Sequence, residues 1–333
     1  MRERQNYRFS RMEQASSKTP QSSSRERIAD IDIMKCIFIV LMVIFHLVYI
    51  GDSYPYAKKI VYTFHMTGFL LFSGYLMNIY KSWAAFAKTL LWYAIPYLVM
   101  EGGYILMAAV LPIREHIDQL TPAVFLDRLL LHPLGPYWYL QTLILCGLTY
   151  FAIFRIPKLS LHSRFLLLGG AFCVYAQWLH VISLSSGLYF LIGAILQQSH
   201  TPFNKLFQAS PAALPVLALL ILFPANLSST YAGGIFIVYS VICTGMLLTK
   251  HLQGKTRTLF LFIGRNTLPV FLFSPIFTLL SKHLLPLVSI DPSGILFMLA
   301  ALPLCLLGSF AMGWAMDATH ISPLFFGKKK VLV

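Results

Sequence analysis

The sequence predicts an all-α, polytopic integral membrane protein of about ten transmembrane helices, and three observations predict it. Of its 333 residues, 57% are hydrophobic and only 11% are charged. Mean hydropathy is +0.70. The apolar residues fall in runs close to the roughly 20 residues that a bilayer-crossing helix needs. A water-soluble domain carries about a quarter charged residues, so a soluble enzyme and a disordered chain are both excluded.

Residues 1–27 are polar and basic, with serines at Ser16 and Ser22 to Ser24, and read as a disordered cytoplasmic tail. The apolar run that follows is too long for a secretory signal and lacks a small-residue cleavage site. Apolar runs bounded by charge, Pro or Gly then predict spans over 33–50, 60–80, 84–111, 136–154, 164–181, 186–198, 211–226, 231–249, 259–281 and 293–316. The third is long enough to tilt and carries Pro96, which can kink it. The sixth is short. Residues 28–320 read as one membrane domain and 321–333 as a basic cytoplasmic tail.

The distribution of positive charge supports this layout. With the N-terminus inside, nineteen Lys and Arg fall on the cytoplasmic side: seven in the tail, then Lys81, Lys88, Arg155, Lys158, Arg164, Lys205, Lys250, Lys255, Arg257 and Lys328 to Lys330. Five fall outside, namely Lys58, Lys59, Arg114, Arg128 and Lys282. Such a bias is expected when both termini are cytoplasmic. Topology therefore accounts for the net charge of +14, and no motif or basic face calls for nucleic acid. The five cysteines all lie in apolar runs without a CxxC pair, so they read as small core residues and no metal site is expected.

Ionisable groups inside spans are costly and mark candidate functional positions. Lys35 and His46 are eleven residues apart in the first span. They share one helix face, about 16 Å apart along the axis. Asp32 can pair with Lys35 at i, i+3. Lys35 reads either as an interfacial lysine that snorkels or as a functional cation, and His46 either as packing or as chemistry. The second span returns inward and places His65 at nearly the depth of His46. Ser73 and Gly74 follow in a small, polar stretch that also suits close helix contact. Glu101, the one acid well inside a predicted span, has two open readings: a partner for a histidine, or a polar contact for another helix. Toward the cytoplasmic surface Lys81, Lys88 and Arg265 join Lys35. The pattern suggests a basic inner mouth for an anionic donor and an outer, histidine-containing site for an acceptor.

Several segments, in order, resemble the membrane acyltransferase 3 family over residues 28–320. The run from Asp32 and Lys35 to His46 is similar to that family's opening helix, with its basic residue, ten intervening residues and a histidine. The Asp-x-x-Lys form is more like the fucose 4-O-acetylase and surface-polysaccharide O-acetyltransferase branch. Phe64-His65-Met66 with Phe72-Ser73-Gly74-Tyr75-Leu76 resembles the next helix of that branch, departing at Thr67-Gly68, where Pro-Leu is usual. Pro136 to Leu140, Tyr189 to Ala194, and Ile263 to Leu268 with Ser274-Pro275 resemble later family segments. Ser274 stands where the family usually has a histidine.

The resemblance implies an integral-membrane O-acyltransferase in the cell (inner) membrane. It would move an acetyl group from cytoplasmic acetyl-CoA, a substrate rather than a bound cofactor, to a hydroxyl of a cell-surface or lipid-linked glycan. It implies His46 as catalyst, with Lys35 as basic partner. A neutral imidazole can take the proton of a sugar hydroxyl, or carry the acetyl group itself. Lys35, Lys81, Lys88 and Arg265 would suit the CoA phosphates. His65, Ser73 and Trp138 are candidates for the acceptor site, Trp138 being equally an interfacial belt residue, and Glu101 a candidate partner for the catalytic histidine. The alternative is a glycan exporter or transporter without acyltransferase activity, which ten spans with buried polar groups would also suit.

Overall fold

The computed structural model describes residues 28–333 apart from Pro112, Arg114 and Ser289. The expected disordered tail over 1–27 and the outer position of Arg114 lie outside the described residues. All regular structure among the described residues is helical. Five segments are long and apolar enough to cross a membrane: Trp83–Val110, Gly135–Phe154, Ala232–His251, Thr267–Val288 and Ile295–Ala318. The chain is thus a multi-pass membrane protein by length and composition.

The long helices follow the predicted runs closely at most positions. In chain order, long and short together, the helices are α1 (Ala29–His46), the short α2 (Val48–Ser53), α3 (Pro55–Leu76), α4 (Trp83–Val110) and α5 (Pro122–Leu130). After a 3-10 turn over Gly135–Tyr137 come α6 (Trp138–Phe154), α7 (Leu161–Gln177) and α8 (Leu184–Gln198). Then follow α9 (Phe203–Leu206), α10 (Ala213–Ile221), α11 (Ala232–His251) and α12 (Gly254–Arg265). The last are α13 (Thr267–Leu280), α14 (Ile295–Ala318) and α15 (Ser322–Phe325). Two departures matter. The first span ends at His46 because Leu47 leaves helical geometry. The ninth is two helices, α12 and α13, broken at Asn266, whose φ of −110° and ψ of 33° interrupt the ladder.

Helix α1 escapes the apolar criterion because Asp30, Asp32 and Lys35 sit in its first two turns, yet it is the buried centre of the bundle. Ile31, Ile33, Met34, Phe38, Ile39 and Val43 are each at most 1% exposed. Close backbone approach around it is made possible by missing side chains. A Cβ on Gly264 of α12 would lie 1.7 Å from the Asp32 carbonyl oxygen, and one on Gly68 of α3 would lie 2.3 Å from the Phe38 ring. Helices α3 and α8 interlock in the same way: a Cβ on Gly74 would meet the Phe190 carbonyl at 2.1 Å, and one on Gly193 the Leu71 carbonyl at 2.1 Å.

Among the cysteines, Cys36, Cys146, Cys243 and Cys305 are buried free thiols, as core residues should be. Cys173 departs from that expectation: it is exposed on α7, since that helix buries only Leu168 and Phe172.

Adding one methyl at Gly193 forces α3 and α8 apart. Gly193→Ala should therefore cost about 3 kcal/mol, whereas Gly170→Ala on α7, where nothing lies within 4 Å, should be neutral or stabilise by about 0.5 kcal/mol. Thermal unfolding of the two purified variants in one detergent checks the contrast.

Candidate active site

One face of α1 lines two cavities in succession. Lys35 and Ile39 line the first, of about 380 Å³, and Met42 and His46 line the second, of about 220 Å³. Positions 35, 39, 42 and 46 are spaced 4, 3 and 4 apart, the repeat of a single helical stripe. The same division runs along the neighbours. On α3, Phe69, Ser73 and Leu76 face the Lys35 cavity, while Tyr62, His65 and Thr67 face the His46 cavity. On α6, Tyr139 and Leu143 belong to the first and Trp138 to the second. Met66 of α3 and Phe271 of α13 line both, so these two side chains form the partition.

The Lys35 cavity is cationic. Lys35, Lys81, Arg265 and Lys328 all line it. The buried Asp32 carboxylate, 6% exposed, fixes two of them. Its Oδ1 lies 2.7 Å from Lys35 Nζ and its Oδ2 3.5 Å from Arg265 Nε. A third cavity of about 410 Å³ abuts the other side of this cluster and shares Lys35, Leu76 and Arg265 with the Lys35 cavity. Lys81 is held through its loop. Gln197 Nε2 donates to the Met77 carbonyl and Tyr150 O–H to Gln197 Oε1 at 2.8 Å. Arg155 donates to the Ile79 and Lys81 carbonyls. Lys81 Nζ itself donates to Thr89 Oγ1 at 2.8 Å.

In the His46 cavity the backbone sets the state of both imidazoles. His46 Nδ1 lies 2.7 Å from the Met42 carbonyl oxygen one turn back on α1. His65 Nδ1 lies 2.8 Å from the Val61 oxygen. A carbonyl oxygen only accepts, so Nδ1 carries the hydrogen in each ring, and Nε2 of each neutral ring keeps its lone pair. Tyr62 stands between them, with ring centroids 5.9 Å from His46 and 5.1 Å from His65. His65 Nε2 is buried without a partner. Four serine side chains (Ser183, Ser185, Ser186 and Ser229) line the rest of the cavity, with Trp138 and, among the described residues, no Asp, Glu, Lys or Arg.

Two carboxylates position Trp138 from outside the cavity. Glu101 Oε1 accepts from the Leu134 amide at 2.6 Å, and Glu115 Oε2 accepts from the Gly135 amide at 2.8 Å and from the Tyr104 hydroxyl at 3.1 Å. Gly135 has a φ of +57° and packs against the Tyr104 ring, a conformation that favours glycine. The 3-10 turn then delivers Trp138 at the start of α6.

The arrangement can hold an anion at one end of α1 and present two proton-accepting nitrogens to a neutral, hydroxyl-rich molecule at the other. A model of the acyltransferase domain family matches residues 28–314. The chain belongs to that family. It is an acyltransferase built into a multi-pass helical bundle. No curated protein and no solved structure matches it.

Within this acyltransferase, His46, His65 and Trp138 come together as the sequence leads one to expect, and so do Lys35, Lys81 and Arg265. Three residues fall elsewhere. Ser73 lies in the Lys35 cavity rather than beside the histidines, because it is eight residues, about 12 Å, beyond His65 along α3. Its hydroxyl donates to the Phe69 carbonyl at 2.8 Å, so Tyr139 O–H is the donor in their 2.8 Å contact. Lys88 is exposed on α4 and lines neither cavity, because it points about 100° away from Thr89, which does. Glu101 does not reach the histidines, since the Leu134 amide engages it. Ser274 is buried in α13 outside both cavities.

Sequence reasoning missed Glu115, Tyr62, the serines and Lys328. The serines did carry a signal, since Ser183 is the N-cap of α8 and accepts from the Ser186 amide at 3.2 Å. Lys328 carried none, because only the return of the chain brings it to the cavity.

Glu101→Gln keeps an acceptor for the Leu134 amide and should retain transfer activity within about threefold. Glu101→Ala leaves that amide unpaired and should lower stability by about 2 kcal/mol. Parallel activity and thermal unfolding measurements on both variants check this assignment. An inactive but stably folded Glu101→Gln protein would instead give the carboxylate a chemical role.

Proposed function

We propose that the chain is an O-acetyltransferase that moves an acetyl group from cytoplasmic acetyl-CoA to a hydroxyl of a cell-surface or lipid-linked glycan. The single observation that carries this reading is the face of α1 shared by a cationic cavity and an uncharged, histidine-containing one. The CoA phosphates belong with Lys35, Lys81 and Arg265, since cations suit phosphate by charge-assisted hydrogen bonds. The pantetheine arm runs along α1 past Ile39 toward the partition at Met66 and Phe271. The glycan belongs with the serines, His65 and Trp138, where hydroxyl and imidazole groups meet sugar hydroxyls and the indole stacks on an apolar sugar face.

In the transfer step, His46 Nε2 takes the proton of the acceptor hydroxyl as its oxygen attacks the thioester carbonyl. The new C–O bond forms, the C–S bond breaks, and the departing CoA thiolate takes the proton back from the imidazolium. The products are an acetyl ester and free CoA. His65 Nε2 accepts a hydrogen bond from a second sugar hydroxyl and orients the acceptor. Orientation follows the charge bias: the Lys35 cavity opens to the cytoplasm, the His46 cavity faces outward, and both termini are cytoplasmic in the inner membrane. The ten-span layout completes this reading.

Membranes containing the wild-type protein, given acetyl-labelled CoA and native surface glycan, should acquire base-labile label on the glycan. His46→Ala should lower that rate by about 10²- to 10⁴-fold. His65→Ala should raise the KM for acceptor and leave that for acetyl-CoA unchanged. Equal labelling with and without His46 would remove it from the chemistry. A folded wild-type protein that labels nothing would overturn the donor and acceptor assigned here.

A further inference from the structure

The C-terminal residues, read from the sequence as a basic tail, are fastened to the bundle. After α15 the chain turns at Gly327, with φ of +65°, where a Cβ would lie 2.0 Å from the Trp92 ring of α4. Farther on, the Val331 and Leu332 amides donate to the Asp317 carboxylate at the end of α14, at 2.8 and 3.2 Å. The Asn266 side chain brackets Val333, accepting from its amide at 2.8 Å and donating to its carbonyl at 3.0 Å. Val331 is only 7% exposed. Four hydrogen bonds to three consecutive backbone units hold this strap in one place.

The anchors are not distributed at random. Asn266 is the break between α12 and α13, and its neighbours Arg265 and Thr267 line the Lys35 cavity. Between the Trp92 turn and the Asn266 bracket, the strap carries Lys328 to the rim of that same cavity. Lys35 and Arg265 already share the Asp32 carboxylate, and Lys81 is hydrogen-bonded to Thr89. Lys328 on the strap adds a fourth cation to the lining of that cavity.

We infer that Lys328 belongs to the donor site and binds a phosphate group of the acyl donor, with the strap over residues 326–333 serving to carry it and with Asn266 and Asp317 acting as positioning residues. This rests on the donor reading above, and the experiment separates the two. Full-length protein in phosphatidylcholine nanodiscs is titrated with coenzyme A. Lys328→Ala should weaken binding about tenfold, Lys328→Arg should restore it, and Lys329→Ala, which removes a neighbouring strap cation outside the cavity lining, should leave it unchanged. The loss at Lys328 should shrink toward unity at 1 M salt, because screening removes a charge contact but not a packing defect.

Wild-type protein that binds coenzyme A with no effect of Lys328→Ala overturns the strap and spares the donor reading, whereas no saturable binding by wild type overturns both. Equal losses at Lys328 and Lys329, or a loss that persists at 1 M salt, also overturn the strap's role. Added phosphatidylglycerol that abolishes the Lys328-dependent part of binding identifies a lipid headgroup as the occupant, and overturns it too.

Discussion

A buried carboxylate between two cations fixes the geometry on which both cavities depend. Asp32 sits in the first turns of α1 where water is scarce, and an unpaired charge there would cost several kcal/mol. Lys35 from the same helix and Arg265 from the end of α12 supply the compensation. Because Lys35 is one turn along from Asp32, the ion pair sets which face of α1 meets the cationic cavity. Because Arg265 comes from another helix, it also sets where α12 docks, and Gly264 beside it lets the two backbones touch. Once that face is set, helical geometry alone carries it through Ile39 and Met42 to His46.

The far end of α1 obeys a different constraint. His46 Nδ1 bonds the Met42 carbonyl one turn back, as His65 Nδ1 bonds the Val61 carbonyl within α3. Each bond consumes one nitrogen and directs the other's lone pair outward, so backbone hydrogen bonding and base chemistry are the same arrangement viewed from two sides. The bundle thereby divides its polar groups. Cations gather at one end of α1, and lone pairs and hydroxyls at the other, with Met66 and Phe271 between them. The glycine contacts between α3 and α8 keep Met66 and His65 in register with α1.

Much of this was legible in the residues, and the exceptions have physical causes. Helix existence followed from apolar run length, and the shared face of Lys35 and His46 from a spacing of eleven. The break at Asn266 was hidden because apolar runs flank Arg265, Asn266 and Thr267 on both sides, and the Asn266 side chain bonds the Phe262 carbonyl and the backbone of Val333. Glu101 kept two readings, a partner for a histidine or a polar contact for another helix, because depth along the membrane normal leaves rotation about a helix undefined. Lys88 was misplaced for the same reason, one residue from a position that does face the cavity. Glu115 and Lys328 lie in polar segments, where no periodicity marks a direction, and only tertiary contacts bring them to the site.

The account stands on transfer between two cavities at opposite ends of one helix face, so sidedness tests it most directly. Wild-type protein would be sealed into vesicles of known orientation, with acetyl-labelled CoA and acceptor glycan each confined to one side. The two-cavity account predicts label on the glycan only when CoA is on the side of the Lys35 cavity and the glycan is on the side of the His46 cavity. Label appearing only when both substrates share one side would contradict it.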